Sequence, residues 1–243
     1  MNYNWNWHIF LEPEPGGTGT YLDLLLSGLR WTIATALLAW VIALVTGSIV
    51  GVLRTLPSKT ASWIAFLYVE FFRNMPLLVQ LFLWFFVLPE LLPRAAGLWL
   101  KQLPYAPFWT AAVGVGLFMS ARVAVQLAAG VGSLPRGQKQ AATALGLTTL
   151  QTYRYVLLPM AYRIVLPPLT SEFLSTIKNT AVAITIGLME LTGQARAMQE
   201  FSFQVFEAFT AATLMYLLIN FIVVTAMGLL ERKVAIPGYI AGK

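Results

Sequence analysis

The sequence predicts an all-α protein embedded in a membrane, and three observations carry that reading. Of 243 residues, 58% are hydrophobic and 11% charged, where a soluble domain carries about 25% charged residues. The apolar residues gather into five runs, each longer than the roughly 20 residues a helix needs to cross the hydrocarbon core. No period-two alternation runs through them, so the spanning form is the helix, which pairs its own backbone groups within the segment.

The elements follow in order. Residues 1–21 form an outer N-terminal segment, in which Trp5 and Trp7 suit the headgroup level; an unstructured leader is the alternative. The first 29 residues hold no Lys or Arg, so the basic region of a cleavable signal is missing. The first span covers 22–53, and Gly47-Ser-Ile-Val-Gly51 inside it permits close helix approach. The second covers 61–88, interrupted by Glu70, Arg73, Asn74 and Pro76. The loop 89–106, rich in Pro and Trp, is expected on the membrane surface. The third span covers 107–131, with Arg122 as its one charge, and the fourth covers 164–188, with Glu172 and Lys178. Between them lies a polar loop, 133–163. Residues 192–207 read as a short surface helix on the spacing of Met198, Phe201 and Val205. The fifth span, 208–230, is uncharged and leads into the tail 231–243. One membrane domain accounts for 22–230.

Orientation comes from counting Lys and Arg. With the N-terminus outside, the inner segments hold nine: Arg54, Lys59, Arg136, Lys139, Arg154, Arg163, Arg232, Lys233 and Lys243. The outer segments hold three, Arg94, Lys101 and Arg196, and four (Arg30, Arg73, Arg122 and Lys178) fall within spans. The topology is therefore N-out, C-in. The net charge of +6 reflects these inner loops and does not call for a nucleic acid partner. With no cysteine and His8 as the one histidine, a thiolate metal site, a disulfide framework and a redox centre are all excluded from expectation.

The inner loop has the signals of two short helices. Pro135 suits a helix start, Gln138 to Leu145 has high helix propensity, and Gly146 stands where a left-handed residue would end that helix. Thr148 and Gln151 form a capping-box pattern for the second helix, which Pro159 is expected to stop. Leu145, Leu147, Leu150 and Tyr153 make the pair too apolar to stand bare in water, so it needs a groove on a partner.

Here a family resemblance becomes visible. Gln140-Ala141-Ala142, Gly146 and Val156-Leu-Leu-Pro159 resemble the EAA loop of bacterial ABC importer permeases. Glu70-Phe-Phe-Arg73-Asn-Met-Pro76-Leu-Leu-Val-Gln80, Leu166-Pro-Pro-Leu169 and Lys178-Asn179-Thr180 are similar to the polar amino-acid uptake (His/Glu/Gln/Arg) family. Within it the chain looks most like a permease subunit of a glutamate/aspartate importer, through Trp5-Asn-Trp7 and Glu231-Arg-Lys233 as well.

The resemblance implies a type I ABC importer permease fold in a bacterial cytoplasmic membrane. It also implies a separate ATPase dimer docked on Gln140, Ala141, Ala142, Leu145, Gly146, Leu147 and Pro159, a second permease subunit (a related chain or another copy) and a periplasmic binding protein. No Gly-x-x-x-x-Gly-Lys-Ser/Thr run occurs, so the chain is expected to be a transporter subunit and not an enzyme, with ATP and Mg on the partners and no cofactor of its own. A permease for neutral or broad-range amino acids is the alternative. Three departures stand out: Gln140 replaces the loop's usual glutamate, Val125 and Ala128 stand where relatives commonly carry Glu and Arg, and Arg122 stands where relatives often have Tyr.

Ionisable residues inside a span cost about 2.5 kcal/mol or more at the centre and so face a cavity or a partner. Arg122 and Lys178 each lie roughly 20 Å along their spans at 1.5 Å per residue. An acidic amino acid offers two carboxylates and one ammonium. Arg122 suits its side-chain carboxylate as a planar fork, Lys178 the α-carboxylate, and Asn179 and Thr180 neutral hydrogen bonds. The alternative is that Lys178 is structural or gating and Arg122 pairs with Glu172 or a neighbouring subunit. Glu70 and Arg73, three residues apart before Pro76, read as an intrahelical or intersubunit ion pair at a proline kink, and Glu172 as a structural pair.

Overall fold

The computed structural model describes residues 3–16 and 19–234; most of the tail expected at 231–243 lies outside the described residues. Among the described residues eleven α-helices follow one another: α1 Tyr21–Thr55, α2 Lys59–Asn74, α3 Leu77–Phe82, α4 Leu88–Leu91, α5 Arg94–Gln102, α6 Ala106–Ser133, α7 Arg136–Ala144, α8 Thr149–Thr152, α9 Leu158–Asn179, α10 Leu191–Ser202 and α11 Val205–Val234. Short 3-10 helices occupy Trp7–Leu11 and Thr180–Ile186, and π-helical turns occupy Leu83–Val87 and Tyr153–Leu157. Among the described residues the fold is all-helical apart from one isolated bridge between Pro13 and Thr20.

Three of these helices are long and apolar enough to cross a membrane: α1, α6 and α11. They extend the runs read at 22–53, 107–131 and 208–230 by a few residues at each end. The run 61–88 is not one straight helix. It breaks at Met75, whose extended backbone separates α2 from the Leu77–Leu91 stretch, and the two halves bend by 101°. Pro76 causes the break: its ring disfavours helical backbone at the residue before it, and it has no N–H to continue the ladder. The fourth run begins earlier than residue 164, at Leu158, and leaves α-geometry at Thr180. α9, which carries Arg163, Glu172 and Lys178, is not among the helices apolar enough to cross a membrane by composition.

Pro159 does not stop the second inner helix. α8, the π turn and α9 run on without a break. The wide turn explains this: the N–H of Leu158, just before the proline, donates to the carbonyl of Tyr153, five residues back. The same device precedes Pro89, where the N–H of Leu88 donates to the carbonyl of Leu83. In each case a π turn widens the ladder where proline withholds a donor.

The chain divides into two compact units. The first contains residues to Trp40, Pro76–Gly116 and Ser175–Ile222. Leu25, Leu191 and Met198 are fully buried there with Ile9, Tyr21, Ala195, Ala208 and Ala212. The N-terminal segment is ordered against the start of α11: the Asn6 N–H donates to Glu207 Oε1 at 2.8 Å, and the Tyr3 hydroxyl donates to Glu207 and to Gln204 Oε1. Trp5 and Trp7 stack at 5.4 Å and are about half exposed. The expected surface stripe of α10 is different in the structure. Met198 is buried in the core, the helix ends at Ser202 with Phe203 in the left-handed region, and Val205 belongs to α11.

The second unit contains Val41–Met75, Leu117–Leu174 and the residues from Val223. Its α1 segment lies against α6 through two glycines. A Cβ at Gly47 would stand 2.6 Å from the Ser120 carbonyl oxygen, and one at Gly51 3.0 Å from that of Ala124. Gly47→Leu is therefore expected to lower the thermal midpoint of the detergent-solubilised protein, since overpacking of this kind costs about 1–3 kcal/mol. Gly132→Leu, with nothing within 4 Å of its added Cβ, is the matched control, and equal shifts in the two variants would contradict the close approach.

Candidate functional site: a charged cavity and an exposed helical loop

The second unit holds a polar cavity of about 250 Å³ lined by Arg73, Phe118, Arg122, Val125, Gln126 and Glu172. Its shape follows from helical spacing. Phe118, Arg122, Val125 and Gln126 recur at four, seven and eight residues along α6, one face of the helix. Arg73 comes from the last turn of α2, just before the bend, and Glu172 from the middle of α9. Arg122 Nη1 lies 3.7 Å from Glu172 Oε2. The arginine side chain is 48% exposed, whereas that of the glutamate is 13% exposed. The guanidinium carbon also stands 5.6 Å from the Phe118 ring centroid, within the range of a cation–π contact.

The cavity regroups the charged residues singled out in the sequence. Arg122, read as a substrate ligand, meets Arg73 and Glu172, read as structural or gating. Among the described residues of this chain Glu70 forms no intrahelical ion pair with Arg73; its carboxylate accepts a hydrogen bond from Asn74 at 2.9 Å. Lys178, Asn179 and Thr180 belong to the first unit and are not among the residues lining this cavity. Lys178 is exposed in the last turn of α9, where the helix dipole favours a cation. Thr180 is buried, and its hydroxyl donates to the Ile177 carbonyl at 2.8 Å. A larger cavity of about 500 Å³ lies in the first unit between Trp84, Trp109 and their neighbours, but its walls are mainly apolar and its charged pair, Lys101 and Glu90, is already joined.

The inner loop takes the two-helix form its caps imply. Gly146 adopts φ +77° after α7, a conformation costly for a residue with a Cβ. Thr148 and Gln151 make both capping-box bonds: the Gln151 N–H donates to Thr148 Oγ1 at 3.3 Å and the Thr148 N–H to Gln151 Oε1 at 2.8 Å. Gln140, Ala141, Gly146 and Pro159 are exposed, Ala142 is buried and Leu147 is half-buried. Leu145 and Leu150 stand 80% and 75% exposed. Tyr153 does not join them as an exposed docking residue. It is buried, and its hydroxyl donates to the Thr55 carbonyl at 2.8 Å, tying the loop to the end of α1.

One site the sequence reading missed is Glu190, fully buried as the N-cap of α10. It accepts hydrogen bonds from the N–H groups of Gly193 and Thr192 at 2.9 and 3.1 Å and from the hydroxyls of Tyr216 and Thr32 at 2.7 and 3.4 Å. Burial pushes its carboxyl above the usual range, against the pull of these donors. The local signal is an acidic residue just before a run of helix formers, but its two hydroxyl partners, Thr32 and Tyr216, come from distant helices.

Comparison with known proteins places these features in context. A family model described as binding-protein-dependent transport system inner membrane component matches residues 43–236. The glutamate/aspartate import permease protein GltJ of Escherichia coli (strain K12) is 49% identical over 246 aligned positions, covering all of both chains. The glutamine transport system permease protein GlnP of the same strain is 32% identical over 215 positions, covering 88% of this chain and 94% of that one. In the crystal structure of an amino acid ABC transporter with histidines, one chain aligns at TM-score 0.74 and 30% identity, covering 88% of this chain and 95% of that one. A chain of the methionine transporter MetNI in an inward-facing conformation shares the fold at TM-score 0.73 with 19% identity.

Proposed function

We propose, from the premise that the chain belongs to the binding-protein-dependent transport system inner membrane components, that it is the membrane subunit of an ATP-driven importer for glutamate and aspartate. The full-length identity of 49% to a glutamate/aspartate import permease carries this reading. The cavity around Arg73 and Arg122 agrees with it chemically, since guanidinium forks suit carboxylates. Lys178, Asn179 and Thr180 remain proposed as substrate contacts in their own right.

The chain is read as a multi-pass protein of a bacterial cytoplasmic membrane with five spans, N-out and C-in. The bent α2 to α4 stretch serves as the second span, and α9 with its 3-10 continuation as the fourth. An ATPase dimer docks on the α7–α8 loop and binds ATP and Mg²⁺; its closure switches the spans between inward- and outward-facing states. A second permease subunit completes the path, and a periplasmic binding protein delivers the amino acid. This chain hydrolyses nothing itself.

The test is ATP-driven uptake of labelled L-glutamate in vesicles reconstituted with the assembled transporter and its binding protein. Excess unlabelled L-aspartate is expected to suppress uptake almost completely, and the same excess of L-glutamine to leave most of it. Equal suppression by both would favour a broad-range permease, the reading that the relation to a glutamine permease keeps in play.

A further inference from the structure

We infer that the Arg73–Arg122–Glu172 cavity is a subsite for an acidic amino acid in which Glu172 is an exchangeable counter-ion. It holds Arg122 while the cavity is empty and receives the substrate ammonium when a carboxylate takes the guanidinium. The inference rests on the acidic-substrate reading and adds a role for the one carboxylate of the cavity.

Charge complementarity is the first argument. The lining offers two guanidiniums and one carboxylate, and the substrate offers two carboxylates and one ammonium. Each group on one side has a partner of opposite sign on the other. The empty lining carries one net positive charge and the substrate one net negative charge, so occupancy leaves the cavity neutral.

Geometry is the second. The Arg122–Glu172 contact of 3.7 Å is well beyond the roughly 2.7–2.9 Å of a tight charge-assisted hydrogen bond. It is close enough to balance charge and loose enough to yield. Glu172 is the more buried partner and Arg122 the more open one, so the guanidinium is the end a ligand reaches first. Phe118 adds a cation–π contact to the same guanidinium. A volume of about 250 Å³ falls just below the range of roughly 300–1,000 Å³ for small-molecule sites, and so favours a small metabolite.

Energetics is the third. A buried carboxylate that loses its partner is strongly destabilised. A diacid without an ammonium would take Arg122 and bring no cation to Glu172 in exchange, whereas an α-amino diacid brings the replacement cation with it. Glu172 therefore selects for the amino group, a discrimination that the arginines by themselves do not make.

The experiment uses the assembled transporter in nanodiscs, without nucleotide and without the binding protein, and measures binding of labelled L-glutamate. Competitors are L-aspartate and glutarate, the five-carbon diacid that lacks the ammonium. In the wild type, glutarate is expected to compete at least about tenfold more weakly than aspartate, the scale of one charge-assisted hydrogen bond. Glu172→Gln, which keeps size and shape, is expected to weaken glutamate binding by about tenfold and close the gap between the two competitors to within about threefold. Glu172→Asp keeps the charge and should keep the order of preference.

A wild-type transporter that binds glutamate but responds equally to aspartate and glutarate overturns the inference and leaves the acidic-substrate reading standing, whether or not the variants assemble. A gap unchanged in an assembled Glu172→Gln transporter does the same. A wild type that binds neither glutamate nor aspartate overturns both.

Discussion

Replacing Leu145 and Leu150 together with aspartate is expected to abolish ATP-driven uptake and recovery of the ATPase with the permease, while the chain still inserts and purifies. Both side chains are largely exposed, at 80% and 75%, so their loss disturbs little within the chain. Burying one leucine is worth about 1.5–3 kcal/mol, and two such contacts correspond to a loss of roughly two to four orders of magnitude in affinity. The helices themselves persist, because Gly146 and the Thr148–Gln151 box fix the turn between them. Gln140→Glu, by contrast, adds a charge at an exposed position and is expected to change association by less than about tenfold, as surface ion pairs are worth little. The measurements are the ATPase-to-permease ratio after affinity purification and the uptake rate. A normal ratio in the double variant would place the docking surface elsewhere.

Arg122→Ala is the second large effect. Uptake of glutamate and aspartate is expected to fall about 10- to 100-fold, in line with the loss of a charge-assisted contact and of the partner of a buried carboxylate. Any uptake of glutamine should fall less, because its side chain carries no charge for the guanidinium to meet. Arg122→Lys should be intermediate, since an ammonium keeps the charge but not the planar fork. Equal losses for charged and neutral substrates, in a transporter that assembles normally, would identify Arg122 as a structural residue.

The parts of this molecule legible in its sequence are those set by local rules. The long apolar runs became α1, α6 and α11 because burial of an apolar helix in lipid needs only composition and length. Gly146 and Thr148–Gln151 were legible because a left-handed cap and a capping box are four-residue events. What was missed depends on chain segments meeting. Pro76 was read as a kink in one span, but a proline alone does not set the 101° bend. The pairing of Arg122 with Glu172 stood among the alternatives read from the sequence, but the arrival of Arg73 in the same cavity depends on how three helices pack. Glu190 lay outside the runs and attracted no notice, because its partners Thr32 and Tyr216 come from α1 and α11.

The π turn at Tyr153–Leu157 joins the inner loop to α9 as one rod with two ends that point independently. A wide turn amounts to about one extra residue in the helix, which rotates everything beyond it by roughly 100°. The surface offered by Leu150 and the direction taken by Glu172 are thus set on either side of a phase break. In evolutionary terms the break is a hinge in the reading frame of the helix: gain or loss of one residue there would re-aim the cavity-facing stripe while leaving the docking end untouched.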